Sequence, residues 1–182
     1  MFDADRTLGT NRWPVVKLGA GCRTEIILLS RKFFALTTHW DGHTIPCPGD
    51  NCPLCEIAAA RGLFFVACMC NSRVSILELG AMSSSHFEQH AKFAAGGMIP
   101  GSVFTLSRSG AKKPVRAEFE KQLQNHAEVE TFELAQKVMA LFKYPCANPS
   151  ETLEQYEERI RRIAGLRTEQ IARRLHKAAE HN

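Results

Sequence analysis

Between His39 and Cys55 the chain reads HWDGHTIPCPGDNCPLC, three cysteines and two histidines in seventeen positions. Thiols and imidazoles at this density can do redox chemistry or hold a metal. A redox pair needs only Cys52 and Cys55, placed at a helix start in a βαβ context that lowers the thiol pKa. Here a β-rich stretch precedes the pair, a hairpin pattern follows it, and Cys47 lies five residues upstream with no part in a dithiol. A zinc ion uses the whole set, because it takes four ligands in a tetrahedron. Cys52 and Cys55 supply two thiolates from one tight turn, Cys47 reaches the same ion, and an upstream histidine, His39 or His43, completes it. His43 sits beside Gly42 in the loop, whereas His39 ends a strand next to Trp40. Four protein ligands close the coordination sphere, so the expected ion is single and structural. Cys22, Cys68, Cys70 and Cys146 read as packed thiols. Asp41 and Asp50 flank the loop as turn residues, and no catalytic grouping stands out, so no enzyme is expected.

The flanking elements must hold this loop. TEIILLSRKFFALTT (24–38) reads as a strand, or as two joined at Ser30-Arg31-Lys32. LFFVACMC (63–70) and RVSILELG (73–80) read as a hairpin turning at Asn71-Ser72. Ser83-Ser84-Ser85 caps a short helix that stops at Gly96-Gly97. SVFTLSRSG (102–110) and PVRAEF (114–119) make a second hairpin. Strands, a hairpin, a helix and another hairpin are the order of a five-stranded Greek-key barrel, the OB-fold. The expected fold class is therefore mainly β, an OB-fold with an inserted zinc loop at 39–55, spanning residues 1–125. Residues 1 to 12 are polar and read as a loose arm. Residues 126–182 form a helical C-terminal extension: one helix over 130–142, then a second capped by Ser150. The second has Leu153, Tyr156, Ile160, Ile163, Leu166, Ile171 and Leu175 on one apolar stripe, with Gly165 a candidate division. That stripe packs back on the barrel, makes a dimer or docks a partner.

Basic residues outnumber acidic ones 13 to 8 up to Arg116, so a phosphate-bearing partner would meet the first two-thirds of the chain. Sequence-tolerant single-strand binding needs cations for phosphates and aromatic faces for bases. Arg31, Lys32, Arg73, Arg108, Lys112, Lys113 and Arg116 fall at strand ends or hairpin tips. Phe34, Trp40 and Phe64 are the candidate stacking faces, Trp40 foremost because it borders the loop. The competing reading puts the phenylalanines in the core and the charges on a solvated surface. No apolar run approaches the ~20 residues of a membrane span. The first residues lack a basic start and apolar stretch, so a cytoplasmic, reducing location is expected.

A β-rich region ending in His-Trp, the Pro-Cys loop with Cys-Pro-Leu-Cys, the strand ending ILELG and the segment PGSVFTLSRSG together carry a resemblance. Over residues 20 to 120 the chain resembles zinc-containing, OB-fold single-stranded-DNA-binding proteins of phage and plasmid type. The resemblance implies His39, Cys47, Cys52 and Cys55 as ligands of one structural Zn2+. It also implies single-stranded DNA as partner, in replication, recombination or repair. The chain departs from that pattern in its ending, IARRLHKAAEHN, which is helical and mixed in charge where an acidic tail is usual. Replication or recombination proteins, or a second copy, are candidate partners of the C-terminal helices. The alternative function is a protein-interaction adaptor with a degenerate OB-fold.

Overall fold

The strands follow from side-chain alternation. In the computed structural model, which describes residues 12–124 and 126–180, successive residues of β5 (Arg61–Cys70) point to opposite faces of one sheet. Val66, Cys68 and Cys70 enter one core, while Phe65 and Ala67 enter another. The same alternation recurs in β6 (Arg73–Gly80), where Leu77 and Leu79 oppose Ile76. Both faces of the sheet are thus covered. The expected polar arm lies, up to residue 11, outside the described residues.

The elements begin with β1 (Val15–Val16), β2 (Arg23–Leu28), β3 (Phe34–Trp40) and β4 (Thr44–Pro46). After β5 and β6 come α1 (Ala81–Ala95), β7 (Ser102–Ser107), β8 (Arg116–Gln122), α2 (Thr131–Leu141) and α3 (Leu153–Glu180). The sheet runs β1-β6-β5-β2-β7-β8, with β3 pairing β5 and carrying β4. β2 and β3 lie end to end along β5, as Ile27 faces Met69 and Phe34 faces Phe65. The break between them falls at the expected Ser30-Arg31-Lys32. There the Leu29 N–H donates to the Ala67 carbonyl at 2.9 Å, and the Ala67 N–H donates to Ser30 Oγ at 3.1 Å. The β5–β6 connection is Asn71-Ser72, with φ of 49° and 59°, the two left-handed residues of a type I′ hairpin turn.

Three expectations need correction. The sheet has eight strands and stays open, where a five-stranded barrel was expected. β6 and β8 do not pair, and α1 packs against β5, β6 and β8 instead. The first helix starts at Ala81 behind Gly80, so the serines are not its cap. Ser84 is buried and donates to the Ala81 carbonyl, while Ser83 Oγ accepts the Val115 N–H at 2.9 Å. Helix α3 runs unbroken through Gly165 and is capped by Thr152, not Ser150. Thr152 Oγ1 accepts the Gln155 N–H and Gln155 Oε1 accepts the Thr152 N–H, a reciprocal capping box.

Helices α2 and α3 cover the second face. Leu134, Val138 and Met139 from α2 join Tyr156, Ile160 and Ala164 from α3 over Phe65, Phe34 and Ile76. The buried stripe of α3 continues through Thr168 to Ile171 and Ala172, while Leu166 and Leu175 are 58% and 41% exposed. The stripe as read from the sequence is therefore right at Tyr156, Ile160 and Ile171 and points outward at Leu166 and Leu175.

Candidate metal centre and nucleic-acid interface

The hairpin β3–β4 places the first two members of the cluster. His39 lies opposite Ile45 and is 1% exposed. The turn between the strands holds Gly42 at φ 70°, a left-handed position. The Cys47 N–H extends the ladder by donating to the Thr37 carbonyl at 2.7 Å. The chain then doubles back through Gly49 (φ 99°) and Asn51 (φ 59°) into a turn where the Cys55 N–H donates to the Cys52 carbonyl at 3.0 Å. Two backbone-anchored arms thereby converge.

His39 Nε2 is 3.5 Å from both Cys52 Sγ and Cys55 Sγ, and Cys47 Sγ is 3.7 Å from Cys55 Sγ. All four ligand atoms lie within 4.8 Å of one another. A tetrahedron with zinc–sulfur and zinc–nitrogen bonds of ordinary length has edges of about 3.8 Å between sulfurs and about 3.6 Å between sulfur and nitrogen. The three measured separations match those edges. They are also far beyond a disulfide bond of about 2.05 Å, and all the cysteines are free. The cluster can therefore hold one metal ion. His43, the alternative histidine, is not in it.

The electrostatics point the same way. Without a cation, burial pushes the Cys47 thiol up to about 12, neighbouring Cys52 and Cys55 add to the rise, and the Gly49 N–H opposes it. A dication reverses that balance and holds the sulfurs as thiolates. His39 Nδ1 is buried without a hydrogen-bond partner. With Nε2 facing the sulfurs, the ring proton belongs on Nδ1. Behind the cluster Ile45, Cys52 and Leu54 pack with Ile171 and Ala172 of α3. The sequence reading missed this support. Its signal was the continuation of the apolar stripe to Ile171 and Ala172.

The candidate nucleic-acid residues do not form one surface. Phe34 is 9% exposed and packed beneath α2 and α3, so its ring is not free to stack. Arg31 makes a two-pronged ion pair with Glu128, at 2.6 and 2.9 Å. Arg108 is spent on the backbone: it donates to the carbonyls of Lys113, Leu18 and Ala111 and so ties down the β7–β8 connection. Phe64 is half-buried, edge-on to Phe33 at 6.1 Å. Lys32 is exposed in the β2–β3 break. Lys112 and Lys113 in the β7–β8 connection and Arg116 at the start of β8 are exposed, and the two lysines border a pocket with Gly80 at the end of β6, whereas Arg73 is exposed at the opposite end of that strand. Trp40 is 56% exposed beside the metal cluster. With Ile57, Leu175 and His176 it borders a cleft of about 350 Å3.

No family model, curated protein or solved structure matches this chain. Among the described residues no helix is long and apolar enough to cross a membrane.

Proposed function

We propose that the protein is a non-enzymatic single-stranded-DNA-binding protein with one structural zinc ion, acting in phage or plasmid DNA replication, recombination or repair. The strand order carries this reading. β6-β5-β2-β7-β8, with a helix between β6 and β7, is compatible with a Greek-key barrel of OB type, which is often only partly closed. α1 lies in the gap between β6 and β8. Zinc is the metal because three soft thiolates and one imidazole at tetrahedral spacing suit it best. The exposed cations Lys112, Lys113 and Arg116 around the β7–β8 connection attract phosphates, and the exposed Trp40 offers a base a flat apolar face.

Fluorescence anisotropy with labelled oligo-dT tests the reading. The expected outcome is binding at low salt whose affinity falls linearly with log salt. Trp40→Ala should weaken it by about 1–3 kcal/mol. No binding at low salt overturns it.

A second reading, an adaptor that binds a replication or recombination protein or a second copy, is favoured by the exposure of Leu166 and Leu175 on α3. It predicts a partner interaction abolished by Leu166→Glu. Deleting the helix is the poorer test, because Tyr156 and Ile160 belong to the core.

A further inference from the structure

The C-terminal half of α3 borders a cleft of about 670 Å3. Arg167, Gln170, Arg173 and Arg174 line it from the helix, and His43 faces them from the β3–β4 turn. Tyr144, just beyond α2, lines it too. No aspartate or glutamate is in the lining, which three guanidinium groups border. Arg173 has Glu169 at 3.6 Å on its own helix. Arg167 donates to the Phe142 and Lys143 carbonyls at 3.1 and 2.9 Å. Among the described residues Arg174 has no carboxylate within 4.0 Å.

A second, independent feature lies in the same cleft. Tyr144 is 4% exposed and its hydroxyl is buried without a hydrogen-bond partner. Arg167 sits over the ring, 4.2 Å from its centroid, and donates to the Phe142 and Lys143 carbonyls. An unpaired buried hydroxyl costs stability unless something else satisfies it. Burial raises the phenol's pKa against the opposing effect of Arg167, so the group is a neutral donor at ordinary pH.

We propose that this cleft binds a phosphate group, with Arg167 and Arg174 neutralising its charge and Gln170 and Tyr144 donating hydrogen bonds to its oxygens. The absence of acidic lining excludes a metal cation. Several guanidinium forks around one space suit a multiply charged, tetrahedral anion better than a single carboxylate. Free phosphate esters and the polynucleotide backbone present the same chemistry. None of Arg73, Lys112, Lys113 and Arg116 lines the cleft, so the proposal stands independently of the single-strand reading.

Calorimetric titration of the full chain with inorganic pyrophosphate, and separately with oligo-dT, tests it at low salt. The proteins compared are the unaltered chain, Arg174→Ala and Tyr144→Phe. Pyrophosphate is expected to bind with Kd below about 1 mM. Arg174→Ala should weaken binding about tenfold. Tyr144→Phe keeps the ring beneath Arg167 and should weaken it severalfold without lowering Tm. Pyrophosphate binding with no response to oligo-dT assigns a small phosphate ligand and removes the single-strand reading alone. An oligo-dT response weakened by both variants, with pyrophosphate silent, assigns a polynucleotide backbone. Equal affinities in all three proteins, or no binding of either ligand, overturns the proposal.

Discussion

The interior between α1 and the sheet and the flap around residues 41–58 are held in different ways. The first has Ile26, Leu28, Val66, Leu77, Phe87 and Phe104, all with no exposed surface. Burying each such side chain stabilises by roughly 1.5–3 kcal/mol, and Phe87 stacks on Phe104 at 4.9 Å. The flap buries only Ile45, Pro46, Cys52 and Leu54, and borrows Ile171 and Ala172 from α3. A loop with so little apolar surface cannot offset the entropy of its own ordering. The four convergent ligands stand where its core would be. The difference teaches that the sheet is ordered around an apolar interior of its own, whereas the flap brings together four ligand atoms that can hold one metal ion where such an interior is missing.

The sharpest way to break that comparison is to remove the metal. Chelation, or Cys52→Ser, is expected to abolish metal content and to lower hydrogen-exchange protection of the flap amides by about a thousandfold or more. Amides of β5 and β6 should keep most of theirs. Uniform loss across both regions, or no loss, would show that the flap is not metal-dependent. Phe87→Ala probes the other side. It should lower global stability by about 3–5 kcal/mol in denaturant titration and leave the metal stoichiometry unchanged.

The smallest effect concerns α3, which reaches from the second face of the sheet to the flap. Glu151 accepts two hydrogen bonds from Arg159, at 2.8 and 2.7 Å, in a site where the side chains are 8% and 20% exposed. The Arg159 hydrogen bonds, helped by the Asn148 N–H, hold its carboxyl at about 2, down from 4.5, against desolvation. A depressed carboxylate pKa means stability present above the unfolded value and lost as pH falls. The pair's contribution should therefore be full above pH 4.5 and disappear towards pH 2. Glu151→Gln should flatten the acid limb of a Tm-against-pH curve over that window and leave neutral-pH metal content untouched.

Much of the strand framework was legible because alternation and turn chemistry agree. Asn71-Ser72 divides two apolar runs, and the chain turns there in the only way a two-residue hairpin with two left-handed positions allows. Gly96 likewise ends α1 with φ 77°. The metal set was legible in type and spacing, but the histidine was not, since His39 and His43 are both within reach along the chain. What separates them is register: His39 points inward on β3, while His43 sits in the turn. The serine cap failed because Ser84 faces the core and its hydroxyl turns back on the helix backbone. Sheet closure was not legible, because filling the β6–β8 gap with α1 is a tertiary choice that no local pattern encodes. The phenylalanine reading failed at Phe34 for a related reason. Alternation sets which face a ring takes, but not that helices cover both faces.

The open sheet ends on β8, which pairs on one side only. An edge without a second partner strand invites backbone pairing with another copy and onward growth into aggregates, and here α1 covers part of it, with His90 Nε2 accepting the Phe119 N–H at 3.1 Å. Along it Arg116, Glu118, Glu120 and Lys121 are all exposed. Bringing in a like strand would crowd these charges and strip their water. The boundary that the missing closure leaves is thus guarded against self-association by charge.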